Sequence, residues 1–265
     1  MKKLTLQEQQ KIILNILKYF NNFCKKHNIM YSLSGGTLIG AVRHKGFIPW
    51  DDDVDIYMLR DDYNKFVEAW QKETHPHYTL SLLEDIKGFL TGEITKIFDD
   101  NTILIDKNGR QSPLFIDIFI YDGVPNNLKL IYQVMKRHRR LKLRFTSCKK
   151  RWLRAKNNTL KQKLFKRLSY YFFNRMNKNI DTFIQEHPIC DSDYIGLLLT
   201  DYGGWERSYM PKKYFSDVVY LEFEGEMYPC MNGYDEHLTM YYGNYMQLPP
   251  KEEQKPKHTL EAYSK

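Results

Sequence analysis

Four carboxylates fall within five positions, Asp51, Asp52, Asp53 and Asp55, and a fold that half-buries such a cluster needs positive charge among them. Val54, Ile56 and Met58 alternate with Asp53, Asp55 and Tyr57, the period of a half-buried β-strand. The apolar set faces a core, and Asp53 and Asp55 share the other face. Side chains two apart on a strand sit roughly 6.5–7 Å apart at the backbone, so the two carboxylates can lean together around a divalent ion. Oxygen-only ligands favour Mg²⁺ or Mn²⁺ over zinc, and Mg²⁺ prefers one or two carboxylates together with substrate phosphates. Upstream, Gly35 and Gly36 let backbone N–H groups approach a phosphate. Thr37 adds a hydroxyl at the expected N-terminus of a short helix, itself an anion site. Arg43, His44 and Lys45 lie between the two ends, where they would offset phosphate charge. Asp51 shares the face of Asp53 as an outer ligand, and Asp52 points the other way, to cap or pair.

The run Gly-Gly-Thr-Leu-Ile-Gly-Ala-Val-Arg-His-Lys-Gly-Phe-Ile-Pro-Trp-Asp-Asp-Asp-Val-Asp-Ile resembles the core motif of the LicD family. These are bacterial phosphocholine transferases related to fukutin and fukutin-related protein, within the nucleotidyltransferase superfamily. The resemblance implies an α/β (α+β) fold, a nucleotidyltransferase-like mixed β-sheet core flanked by helices. It puts Asp53 and Asp55 on metal and Gly35, Gly36 and Thr37 on the donor phosphates. Lys96 becomes a phosphate or nucleotide contact, with an ordinary exposed lysine as the alternative.

Leu114 to Asp122 reads as a central strand interrupted by one carboxylate, and an ionised Asp there is costly unless paired or liganded. The superfamily carries a third carboxylate on the strand beside Asp-x-Asp. By that resemblance Asp117 completes the metal site or takes the acceptor's proton. Relatives often have proline where Ile120 stands, and Asp where Asn244 stands in Tyr242-Gly243-Asn244-Tyr245. His258 matches a histidine often seen after the closing Pro-Pro, although a solvated tail residue explains it as well. The implied reaction moves a phospho-alcohol, phosphocholine first, from a CDP-linked donor such as CDP-choline to a sugar hydroxyl of a glycan or lipid-linked glycan, releasing CMP. Two other readings stay open: a nucleotidyltransferase that releases pyrophosphate while modifying a small molecule, and a non-catalytic basic module.

The remaining sequence supplies a scaffold. Thr5 and Glu8 form a capping box ahead of Ile13, Ile16, Leu17, Phe20 and Phe23 at helical spacing, predicting a helix over residues 6–26. Short strands are expected near 31–33, 78–83 and 91–97, a helix capped by Asp61 or Asp62, and another helix over 181–186. Of 40 Lys and Arg, 18 fall between Lys129 and Lys178, where there is no Asp or Glu, so the rest of the chain holds 22 against 32 acidic residues. The organisation is a catalytic core over 1–128, a basic amphipathic helical insert over 129–180 with a break at Asn157-Asn158, and a C-terminal part over 181–265.

Three uses of the insert compete: a solvated face, nucleic-acid binding, for which no motif is present and which is not expected, and an anionic membrane surface engaged by its Trp and Phe, the preferred one. The scattered Cys24, Cys148, Cys190 and Cys230 form no zinc or redox motif. There is no run of the ~18 apolar residues a membrane span requires. Met1-Lys2-Lys3 leads into polar sequence rather than a secretory signal, so a cytoplasmic protein, peripheral on the inner membrane face, is expected.

Overall fold

The computed structural model describes residues 1–82, 94–105, 109, 111–133, 136, 147, 159–198, 208–256 and 261–265. It divides into two compact units, one of residues 1–81, 95–120 and 213–265, the other of 82–94 and 121–212.

The first unit carries a mixed sheet with helices against it, the α+β architecture expected. Its strands β1 (Lys2–Lys3), β11 (Glu261–Ser264), β5 (Thr95–Ile105), β6 (Gln111–Val124), β3 (Asp55–Leu59) and β2 (Ser32–Leu33) lie side by side in that order. β4 (Tyr78–Ser81) pairs with the first half of β5. A separate hairpin, β9 (Val218–Phe223) and β10 (Glu226–Met231), meets the sheet edge where the Met231 amide donates to Ser32 Oγ at 2.9 Å.

Helix α1 (Leu6–His27) forms as its sequence dictates. The Glu8 amide donates to Thr5 Oγ1 at 3.2 Å and the Thr5 amide to Glu8 Oε2 at 2.8 Å, closing the capping box, and Asn28 ends the helix in the left-handed region. Ile13, Ile16, Leu17, Phe20 and Phe23 are all buried. Phe20 and Phe23 meet Phe66 of α3 (Arg60–Gln71) edge to face, joining two helices on one layer.

Several expectations are corrected. Helix α3 starts at Arg60 with Leu59 at its N-cap and no side-chain cap bond; the Asp62 carboxylate instead accepts from the Met30 amide at 3.2 Å. β5 runs to Ile105, well past residue 97, because a register shift between Asp99 and Leu104 lets the polar Asp99-Asp100-Asn101 stretch stay in the strand. β3 is not half-buried: Asp55 to Met58 are all buried, since α5 (Tyr234–Tyr242) brings His237 edge-on to Tyr57 at 5.6 Å. The helix expected over 181–186 is the end of one 27-residue helix, α4 (Leu160–Glu186), whose start is capped by Thr159 and Gln162. Asn157-Asn158 and His258 lie outside the described residues.

The second unit holds the end of β6 with β7 (Tyr194–Gly196) and β8 (Tyr209–Pro211) added antiparallel, plus α4. At Gly123 an added Cβ would run into the His187 carbonyl, so the chain leaving α4 approaches β6 at van der Waals distance. No helix among the described residues is long and apolar enough to cross a membrane.

Candidate active site

The site is assembled where α2 (Gly35–His44), the loop before β3 and the middle of β6 converge. Ser34 precedes the helix in extended backbone and its amide donates to the Asp55 carbonyl at 3.0 Å. The Asp55 amide in turn donates to Thr37 Oγ1 at 2.9 Å, so the first turn of α2 is stitched to the start of β3. Gly35 has φ +52°, and a Cβ there would meet Asp55 Oδ2 at 2.6 Å; one at Gly36 would meet Asp51 Oδ2 at 2.5 Å. Only glycine permits this approach of carboxylates to a helix start. Thr37 is buried and braces Asp55, a structural task beside the phosphate contact expected of it.

Asp51, Asp52 and Asp53 each bring a carboxylate oxygen within 4.8 Å of the others. They precede β3 and so escape strand alternation, which is why Asp52 joins Asp51 and Asp53 instead of pointing away. Asp55 is buried, and its carboxyl is held well above the usual range, first by burial, then by Asp53, Asp117 and Asp51, with Lys96 opposing. Asp117 stands on β6, whose amide donates to the Val54 carbonyl at 2.9 Å, one strand over from the acid loop. The structure therefore brings Asp53, Asp55 and Asp117 into one electrostatic neighbourhood and adds Asp51 and Asp52.

Lys96 is not an exposed lysine. It is 5 % exposed, directly cross-strand from Asp117, ion-paired with that carboxylate and lying 3.5 Å over the Phe115 ring. A buried pair of this kind fixes the β6 carboxylate in place.

The basic trio has other partners. The Arg43 guanidinium donates to the carbonyls of Tyr245 at 2.7 Å and Gln247 at 3.3 Å, and its Nε to His44 Nε2 at 2.9 Å. Burial lowers the His44 pKa, helped by Arg43, so the ring stands neutral as that acceptor. Lys45, left-handed at the end of α2, pairs with Glu222 at 3.3 Å. Glu224 takes the Phe47 amide at 3.0 Å, and Phe47 packs edge to face on Phe223 at 4.9 Å. A Cβ on Gly46 would collide with the Glu224 carboxylate. The loop that delivers the aspartates is thus clamped by the β9–β10 turn.

Sequence reasoning missed Glu224, Tyr242 and His237. Tyr242 keeps 41 % of its surface open, yet burial of its hydroxyl followed by the charges of Asp55, Asp51 and Asp53 raises its pKa, putting an aromatic at the rim of the acid cluster. Its only signal was membership of the Tyr-Gly-Asn-Tyr stretch.

The donor set suits a hard divalent ion: among the described residues Asp51, Asp52 and Asp53 offer carboxylate oxygens close together, and the cluster's own charge penalises Asp55 in the ionised form. The two glycine amides beside it suit an anion bridged to that ion.

Comparison with known proteins gives the family. A family model described as "LicD/FKTN/FKRP, nucleotidyltransferase domain" matches residues 28–149. The chain is 61% identical over 263 residues, 99% of each chain, to a Haemophilus influenzae protein named lipopolysaccharide cholinephosphotransferase LicD. Two uncharacterised proteins match shorter stretches: one from Rickettsia typhi, 40% identical over 62 residues (23% of this chain, 20% of the relative), and one from Rickettsia prowazekii, 44% over 50 residues (19% of each). With a relative so similar along its whole length, the chain belongs to the LicD family.

Proposed function

We propose that the chain transfers phosphocholine from a CDP-linked donor, CDP-choline, to a sugar hydroxyl of a lipopolysaccharide-type acceptor, releasing CMP, with Mg²⁺ or Mn²⁺ as cofactor. It works at the inner face of the cytoplasmic membrane as a peripheral protein. The observation that carries the reading is 61% identity along nearly the whole length to the Haemophilus influenzae cholinephosphotransferase, joined to a carboxylate cluster facing a glycine-opened helix start.

Asp53, Asp55 and Asp117, with Asp51, would hold the ion, which when bound neutralises the donor diphosphate and aligns it for displacement. The Gly35 and Gly36 amides, at the positive end of α2, bind phosphoryl oxygens that glycine alone lets approach. The acceptor oxygen forms its bond to the choline-bearing phosphorus as the bond to the CMP oxygen breaks, and CMP leaves with those electrons. The acceptor's proton passes to a cluster carboxylate. Asp55, buried among Asp53, Asp51 and Asp117, is placed for this, whereas Asp117 is already engaged in its ion pair with Lys96. Asp117 and Lys96 then serve to hold the geometry.

Purified protein given CDP-choline, Mg²⁺ and a choline-free lipopolysaccharide should release CMP in step with choline incorporation. Asp53→Asn or EDTA should reduce the rate at least about a hundredfold. Turnover indifferent to EDTA, or pyrophosphate released from a nucleoside triphosphate with no use of CDP-choline, would overturn the reading.

A further inference from the structure

Helix α4 exposes an apolar strip that the reaction does not use. Leu160, Leu164 and Leu168 recur every four residues and Phe172 continues the row, with 84, 59, 48 and 49 % of their surfaces open. Ser169, which faces away from Leu160 and Leu164, is buried, so the helix packs by that side and presents the leucines. From Leu160 to Ile180 there are six basic residues and no acid, the first carboxylate being Asp181.

We propose that this face is a docking surface for an anionic lipid bilayer. The leucines and Phe172 would sink to the boundary between headgroups and acyl chains, while Lys161, Arg167 and Arg175 meet lipid phosphates. Charge decides among occupants. A second copy would press one all-basic face against another with no acid to pair them. A nucleic acid would meet a strip whose centre is aliphatic, where its phosphates gain nothing. An anionic bilayer satisfies both the apolar centre and the cationic margins. The proposal stands on α4 alone and does not depend on the catalytic reading.

The test is sedimentation of the full chain with phosphatidylcholine vesicles containing roughly 30 % phosphatidylglycerol, against phosphatidylcholine alone. Pelleting is expected with the anionic vesicles only, and weaker in high salt. Leu164→Gln/Leu168→Gln/Phe172→Gln should lower partitioning at least about tenfold while far-UV circular dichroism is unchanged. Lys161→Gln/Arg167→Gln, which alters solvated side chains only, should lower it too and decides the matter if the triple variant does not fold. Equal pelleting with both vesicle types, no pelleting, or variants that bind within about twofold of the parent would overturn the proposal. So would a concentration-dependent dimer abolished by the triple variant in a protein that ignores vesicles.

Discussion

Replacing Asp55 by Asn should stabilise the metal-free protein while abolishing its response to Mg²⁺. Asp55 is buried among Asp53, Asp117 and Asp51, and their charges add to burial in raising its carboxyl pKa, so its ionisation costs folding energy. The sign follows: a carboxyl whose folded pKa is raised loses stability as pH climbs above the unfolded value near 3.8. At a separation of about 5 Å, one like-charge pair costs about 1 kcal/mol in water and about 3 kcal/mol at an effective permittivity near 20. Set against the lost attraction of Lys96, a net gain of about 1–3 kcal/mol is expected, or about 2–10 °C in Tm for a chain of this size. Circular-dichroism melts in EDTA and in millimolar Mg²⁺ read both effects. The parent should melt higher with Mg²⁺; Asp55→Asn should exceed the parent in EDTA, more so at pH 8 than at pH 5, and gain nothing from Mg²⁺. An Asn variant that melts below the parent in EDTA, or that Mg²⁺ stabilises equally, would refute the account of the cluster as an anion cage.

Lys96→Met, which strands the Asp117 charge in the sheet, should cost about 3–5 kcal/mol in urea unfolding, and adding Asp117→Asn should recover most of it. Gly36→Ala pushes a methyl against the Asp51 carboxylate and should slow CMP release about a hundredfold, with far-UV circular dichroism unchanged. His237, buried beside Tyr57 and Tyr241, has its pKa lowered by burial to about 4 from 6.5. It therefore stays neutral while the unfolded chain protonates, and stability falls by about 3 kcal/mol between pH 6.5 and 4; His237→Phe should flatten that limb of the urea-unfolding profile.

Local signals were legible. The capping box at Thr5 and Glu8 set the start of α1, the periodicity of Phe20 and Phe23 set its buried face, and a lone Asp in an apolar run marked β6. Asp53, Asp55 and Asp117 were all nameable from spacing and resemblance. What stayed hidden was tertiary. Nothing local says that Lys96 faces Asp117, because cross-strand register is set by pairing two segments about twenty residues apart. The protein partners of Arg43 and Lys45 were hidden for the same reason: these carbonyls and the carboxylate come from residues 222–247, and a basic trio near a phosphate motif looks the same in sequence whatever it faces. Asp52 was misplaced because alternation was extended into a loop.

The clamp that Glu224, Tyr245 and Gln247 place on residues 43–47 has a consequence for biosynthesis. The aspartate loop leaves the ribosome early, but its fasteners are translated some two hundred residues later. A nascent chain therefore carries its acidic loop without these fasteners until residues 224–247 have been made.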